Sequence, residues 1–443
     1  MLSISLPRAK SFMKITSLCI SSVVVSFSVS VASAASAASA ASAEGTEGQT
    51  SVKKQASTDS QFHQELPSSS LVNVERYPEA NVTHPVPQFS VDASWPTMPK
   101  TMIIGQVPGL SVDKNDNVWL LHRPNSLSKL DVGLTNNMGL CCEAAPHVLQ
   151  FSPQGDLLNA WGGPETSPSI NGENQWPATV HGLYVDDENT VWLGGNGDGD
   201  HVVLNFTEKG EFIRQFGTRG KTDGNLSKST LGNPADIFHN TQTNKVFIAD
   251  GYINKRVTAF NTDANEFDQL WGAYGTAPGG GTREGAFDVS QATANAGATS
   301  TQAQNFGDIV HCVTQATDGR IYVCDRRNNR IQVFKADESG TVNFVQDVIV
   351  AGETGGLGTA SDIAFSPDNK YMYVADMMNG RIWILLHENY QVLGSFGRPG
   401  RYPGQFTWLH SVVADSEGNL YTSEVSTGRR VQKFVLTGFE TNQ

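Results

Sequence analysis

Three histidines in this sequence share one local context. They are His181 in Val180-His181-Gly182-Leu183, His311 in Val310-His311-Cys312-Val313 and His410 in Leu409-His410-Ser411-Val412. Each stands at the mouth of a short apolar run. A polar turn then leads to a second apolar run: Val191-Trp192-Leu193, Ile321-Tyr322-Val323 and Leu420-Tyr421-Thr422. Three further segments follow the same plan with Pro108, Ala235 and Ser361 in the histidine's place. In chain order the histidine falls in units two, four and six of six. A single histidine in such a place is most often a packed core residue or a surface hydrogen-bonding group. Three in phase make a ligand set. Three protein ligands with an open fourth position is the arrangement of a catalytic zinc site. Zinc is the expected ion, and imidazole also suits other first-row divalent metals.

A second set follows the second apolar run. The residue after the position of Asp250 and Asp325 is Arg123 in the first unit and Arg326 in the fourth, and Tyr252 comes one residue further on in the third. A guanidinium holds a carboxylate or carbonyl in a fork. A phenol beside a cation can be lowered in pKa and act as a base. Taken singly, each reads as a surface charge or a packed aromatic; beside a ring of metal ligands, all three become candidate catalytic residues. The recurring Asp250, Asp325 and Asp376 differ, because each precedes an Asn-containing turn and then an Arg. Their short side chains are expected to cap that turn.

These residues meet only if the repeated units close around a common axis. Each unit has a second strand such as Lys245-Val246-Phe247-Ile248 or Tyr371-Met372-Tyr373-Val374. The third strand recurs as Arg256-Val257-Thr258-Ala259-Phe260, Arg330-Ile331-Gln332-Val333-Phe334 and Arg430-Val431-Gln432-Lys433-Phe434. The fourth often ends in an aromatic and a glycine, as at Trp161-Gly162, Phe216-Gly217 and Phe396-Gly397. Four antiparallel strands in six units read as an all-β, six-bladed β-propeller, with blades starting near residues 108, 181, 234, 311, 361 and 410. First strands line the channel of a propeller, so the three histidines lie about 120° apart at one height. The sixth unit lacks a fourth strand after Phe434. The stretch from Phe89 to Trp95 can supply it, which closes the ring and leaves no open sheet edge. Residues 273–304, rich in Gly, Ala, Thr, Ser and Gln, read as a mobile loop between blades.

The 443 residues include 43 Gly, 19 Pro and 17% charged residues, the profile of a turn-rich β protein. A formal charge of −13 argues against nucleic acid and anionic membranes as partners. Residues 1–34 read as a signal peptide: Arg8, Lys10 and Lys14, an apolar stretch too short to span a membrane, then Ala32-Ser33-Ala34. A secreted or periplasmic protein with no membrane span after signal removal is expected. Residues 35–84 read as a disordered linker and 85–440 as the propeller. Export implies an oxidising compartment. Cys141, Cys142, Cys312 and Cys324 then allow two disulfides in three pairings. Cys312 and Cys324 stand opposite each other if the turn at Thr317-Asp318-Gly319 has three loop residues. A two-residue Asp318-Gly319 loop sets Cys312 against Asp325 instead. The adjacent Cys141 and Cys142 could close a ring on each other, bind metal or pair elsewhere. Asn81, Asn205 and Asn225 head glycosylation sequences that matter only in a eukaryotic source.

Leu121-His122-Arg123, Val180-His181-Gly182-Leu183, Ala249-Asp250-Gly251-Tyr252, Cys324-Asp325-Arg326 and Leu409-His410 resemble the motifs of the peptidyl-α-hydroxyglycine α-amidating lyases. These peptidylamidoglycolate lyases are six-bladed propellers with NHL-like repeats, and the resemblance covers about residues 100 to 437. The NHL-like part is common to many proteins, whereas the His, Arg and Tyr set is much more specific. The resemblance implies zinc on His181, His311 and His410, and an active site lined by Arg123, Tyr252 and Arg326. It implies cleavage of a carbinolamide to an amide and glyoxylate, on a small-molecule or peptide-end substrate. No copper monooxygenase half is expected in this chain, so a separate hydroxylating enzyme would supply the substrate. Two positions depart from the family pattern, which has Met two residues before the third histidine and Asp just after it. Here they are Trp408 and Ser411. That Asp helps hold a structural calcium in the family, so calcium is in doubt here, and Trp408 alters the pocket wall. Two other classes compete: a non-catalytic NHL-type propeller that binds a protein or glycan, and a metal-dependent hydrolase such as a lactonase. The open coordination position and the two arginines favour an enzyme.

Overall fold

A computed structural model describes residues 69–76, 84–279 and 303–441. The signal sequence expected over 1–34, most of the 35–84 linker, Asn81 and most of the 273–304 loop lie outside these residues. Within them the fold is nearly all strand, with isolated 3-10 turns such as Pro124–Ser126. Six antiparallel sheets each supply one blade. Blade 1 contains Gln106–Val112, Val118–Arg123, Val148–Phe151 and Leu157–Trp161. Blade 2 contains Val180–Val185, Val191–Gly195, Val202–Phe206 and Phe212–Gly217. Blade 3 contains Asp236–Asn240, Lys245–Asp250, Arg256–Asn261 and Glu266–Trp271. Blade 4 contains Val310–Gln315, Arg320–Asp325, Arg330–Ala336 and Val342–Ile349. Blade 5 contains Ala360–Phe365, Tyr371–Asp376, Arg381–Leu386 and Val392–Phe396. Blade 6 is Leu409–Ala414, Leu420–Glu424, Val431–Glu440 and, from far upstream, Val86–Asp92.

Burial explains the strand compositions. Middle strands lie between neighbouring blades and are covered on both faces, so Tyr371–Asp376 is buried throughout. Fourth strands form the rim, and Glu266–Trp271 exposes alternate residues. The turns between second and third strands are held as expected. Asp250 accepts from Asn254 Nδ2 (2.7 Å) and Arg256 Nε (2.8 Å), and Asp325 accepts from Asn328 Nδ2 and Arg330 Nε, both at 2.8 Å. Asp376 accepts from Asn379 Nδ2 and Trp383 Nε1 at 2.8 Å.

The ring closes as a β-ladder between Val86–Asp92 and Val431–Glu440, with Val91 opposite Phe434. This strand starts at 86 rather than the expected 89 and ends at 92 rather than 95. The Asp92 carboxylate turns the chain by accepting from the amide and hydroxyl of Ser94. Trp95 therefore leaves the ladder and packs between blades 6 and 1, its ring 4.9 Å from Tyr421 and 6.1 Å from Phe151.

The linker expectation is corrected at its C-terminal part. Ser69–Leu71 pairs with Val86–Asp92, and Val74–Arg76 pairs with Val392–Phe396, adding fifth strands to blades 6 and 5. Val72 and Val74 pack on the core shared by those blades. A finished sheet edge offers backbone partners to a segment whose own composition could not order it.

Cys312 stands opposite Cys324, the register of a three-residue loop, and the two are joined; Cys141 and Cys142 are joined to each other. Asn205 is buried in the third strand of blade 2, its Nδ2 bonded to Thr190 Oγ1 at 2.9 Å, so it is closed to glycosylation. Among the described residues no helix is long and apolar enough to cross a membrane.

Candidate active site

The histidines owe their direction to a local irregularity. In blade 4, Val310 pairs with Asp325 and Cys312 with Cys324, which leaves His311 as the extra residue of a β-bulge. Blade 6 does the same around His410, between Leu409 and Ser411. In blade 2 the register shifts between Val180 and Leu183, across His181. A bulge re-aims the side chain that it carries. The three rings meet with centroids 4.7, 4.8 and 5.2 Å apart, and their ligand atoms lie within 4.8 Å of one another. All three are buried.

Each ring is steered by the next blade. His181 Nδ1 donates to the Ala235 carbonyl (2.7 Å), and His311 Nδ1 donates to the Ser361 carbonyl (2.6 Å). His410 faces the Pro108 carbonyl in a looser contact, short of full hydrogen-bond geometry. A carbonyl only accepts, so Nδ1 of His181 and of His311 carries the proton and Nε2 keeps its lone pair. Burial is the main force that keeps all three uncharged. His181 and His311 fall well below the ordinary 6.5, and His410 falls to about 3, with the neighbouring arginines adding to the effect. His311 Nε2 is buried with no hydrogen-bond partner. An acceptor left bare in this way, among neutral imidazoles, fits a metal ion.

The blades without a histidine answer in kind. Ser111 Oγ accepts from Val185 N (2.9 Å), Asp236 Oδ2 from Val313 N (3.0 Å) and Asp362 Oδ2 from Val412 N (3.0 Å). Bonds thus run from odd to even blades as well as from even to odd. Asp236 and Asp362 line a channel of about 260 Å³ along the six first strands. Burial raises both, Asp362 to about 6, and repulsion from Asp362 adds to the rise of Asp236. Ser411, which stands where the resembling family has Asp, hydrogen-bonds to Asp362.

Arg123, Tyr252 and Arg326 gather beside the rings. The Tyr252 hydroxyl donates to His181 Nε2 (2.7 Å), and its ring centroid is 4.8 Å from that of His181 and 6.2 Å from that of His311. Arg326 is buried, hydrogen-bonds to the Tyr252 phenol, and donates from Nε to the Leu357 carbonyl (3.1 Å). Arg123 donates to the Val180 carbonyl (2.8 Å), Gln106 Oε1 (3.0 Å) and Asn196 Oδ1 (3.1 Å). Its exposed part faces a cavity of about 300 Å³, while packing around the guanidinium lowers its pKa from 12.5 to about 10. All three acceptors are neutral, and among the described residues no carboxylate lies within ion-pair distance of Arg123. Arg256, Arg330 and Arg430 differ: each meets its own acid at 2.7–2.8 Å. An enclosed cation without a counter-ion is built to receive an anion. The structure therefore brings all six sequence-derived residues into one cluster. Sequence reasoning missed Gln106 and Asn196, which orient Arg123. Asn196 had a signal, since it holds in unit two the place that Arg326 holds in unit four.

Fold and site together define a six-bladed propeller with a group of three histidines that could hold a metal ion. Residues 309–334, in blade 4, match the NHL repeat family. NHL repeat-containing protein 3 of Mus musculus is 29% identical over 250 residues, 54% of this chain and 58% of that protein. Peptidylglycine alpha-amidating monooxygenase of Rattus norvegicus is 23% identical over 353 residues, 78% of this chain and 32% of that protein. Peptidyl-alpha-hydroxyglycine alpha-amidating lyase 1 of Drosophila melanogaster is 24% identical over 367 residues, 77% of this chain and 59% of that protein. The chain thus spans less than two thirds of the length of each relative. Identities this low mark distant kinship with NHL-type and amidating proteins and do not fix an activity.

Proposed function

We propose that this protein is a secreted or periplasmic metal-dependent lyase that cleaves the C–N bond of an α-hydroxyglycine carbinolamide, giving an amide and glyoxylate. The observation that carries the reading is the placement of Tyr252, whose phenol joins His181 Nε2 to the buried Arg326 at the edge of the imidazole cluster. Distant relatives named as amidating enzymes support it. His181, His311 and His410 would hold the metal, with zinc the first candidate. Bound there, the ion supplies a fixed positive charge that makes a neighbouring hydroxyl more acidic. Arg123 binds the substrate carboxylate, and Arg326, hydrogen-bonded to Tyr252, stabilises charge. Tyr252 Oη moves the proton of the substrate hydroxyl. As that proton leaves, the C–O bond becomes the aldehyde of glyoxylate, the C–N electron pair passes to nitrogen, and nitrogen takes up a proton to become the amide. A separate hydroxylating enzyme would supply the substrate. The two disulfides suit the oxidising compartment that the leader expected over 1–34 would reach.

The test is glyoxylate release from α-hydroxyhippurate by zinc-loaded protein, and release well above the uncatalysed background is expected. None above background excludes this chemistry for this substrate class and moves the hydrolase and binding readings ahead.

A further inference from the structure

The residues that follow the second strands form a belt around the axis beside the imidazole rings. By ladder register, the place of Arg326 in blade 4 belongs to Arg123 in blade 1 and Asn196 in blade 2. It belongs to Gly251 in blade 3, Met377 in blade 5 and Val425 in blade 6. Blades 1 to 4 give a polar arc in continuous contact. Arg123 bonds to Asn196, the Asn196 carbonyl accepts from Asn233 Nδ2 (3.1 Å), and the Asn233 carbonyl accepts from Tyr252 N (3.2 Å). Tyr252 then meets Arg326.

Blades 5 and 6 give an apolar arc. Met377 and Val425 pack with Leu357 and Trp408. This arc touches the polar one at Leu357, whose carbonyl accepts from Arg326, and it adjoins the metal ligands at Trp408, two residues before His410. A pocket of about 270 Å³ opens against Met377, Met378, Phe406 and Trp408. Trp408 holds φ at +60°, a left-handed conformation that is an outlier for so bulky a residue and that persists only where the surroundings impose it. The Val425 amide fixes it by donating to the Trp408 carbonyl (3.1 Å).

We infer that the apolar arc is the specificity surface of this site, taking an aromatic or aliphatic acyl group on a substrate whose carboxylate is held at Arg123. The divided belt sets the substrate's direction: charged end toward blades 1 and 4, apolar end toward blades 5 and 6, and the reacting carbon between them. The inference rests on the lyase reading for the reaction but not for the binding. Each methylene fully buried in the arc tightens binding about fourfold.

Isothermal titration of the zinc-loaded protein with N-acetylglycine, N-hexanoylglycine and N-benzoylglycine tests it, because all three carry the carboxylate and none can react. Binding is expected to tighten at least about tenfold from the acetyl to the larger acyl groups. Trp408→Ala and, independently, Met377→Ala should each shrink that ratio, and Trp408→Met should keep most of it. Arg123→Ala should weaken all three ligands alike. Equal affinity across the series in the parent protein overturns the inference, as does an unchanged ratio in folded Trp408→Ala and Met377→Ala proteins. A graded series without glyoxylate release removes the lyase reading and leaves the specificity surface standing. Release with a flat series does the reverse.

Discussion

Tyr252→Phe deletes one oxygen from the site and leaves the three imidazoles in place. Turnover of α-hydroxyhippurate should fall about 10²–10⁴-fold, the usual cost of losing a proton-transfer group. Metal content, read by elemental analysis, should stay at that of the parent, expected to be about one ion per chain. His181→Ala, His311→Ala and His410→Ala should each lose most of the metal, because three ligands act together; retention by the triple variant would end the metal argument. Arg123→Ala should impair binding and rate together, since the guanidinium's present bonds all go to neutral acceptors. Residue type and phase made these five and Arg326 legible in the sequence as candidates. The bulges did not show there. Val310-His311-Cys312-Val313 reads as the start of a regular strand, and only the ladder reveals that His311 is an inserted residue. The hydrogen bonds that Arg123 donates to Gln106 and Asn196 were equally hidden, because they join strands whose contact depends on the finished register.

The second strand of blade 1 carries an acid-sensitive group beside Arg123. His122 is held at about 4 instead of 6.5, mainly by burial and then by the nearby His147. It accepts from the Gly105 amide, and its Nε2 faces the Ala145 and Pro146 carbonyls. Below pH 6.5 the unfolded chain takes up a proton that the folded state refuses until about pH 4. Its contribution is therefore complete above 6.5 and is lost as the pH falls toward 4, by about 3 kcal/mol across the window. Denaturant midpoints at neutral and acid pH should fall in this direction, and His122→Asn should remove the share that His122 adds to the slope of the other buried histidines. Strand pairing was partly readable in advance: Cys312 and Cys324 are equidistant from Asp318, so a three-residue loop sets them face to face. The strands at 69–76 were not readable, since Leu71, Val72 and Val74 among polar residues carry no signal until an open edge exists to receive them.

The ring as a whole depends on one ladder between distant segments. Deleting residues 85–96 removes the closing strand, and the entire propeller should melt at a markedly lower temperature in circular dichroism. Deleting 69–76 should cost much less, because blades 5 and 6 keep four strands without it. A protein lacking 85–96 that melts like its parent would refute closure by that segment. The repeat count was legible because turn chemistry and strand pattern recur six times, whereas the exact span of the closing strand was set by a local turn at Asp92. The ladder also fixes an order of events during biosynthesis. Val91 is made before the rest of the ring and waits for Phe434, its partner in the sixth blade. His410 arrives with that same blade, so the third imidazole reaches the other two only after the other five blades have been made. A chain threaded unfolded across a membrane would then acquire its ion on the far side, and the metal supply of that destination, not of the cytosol, would decide which ion it carries.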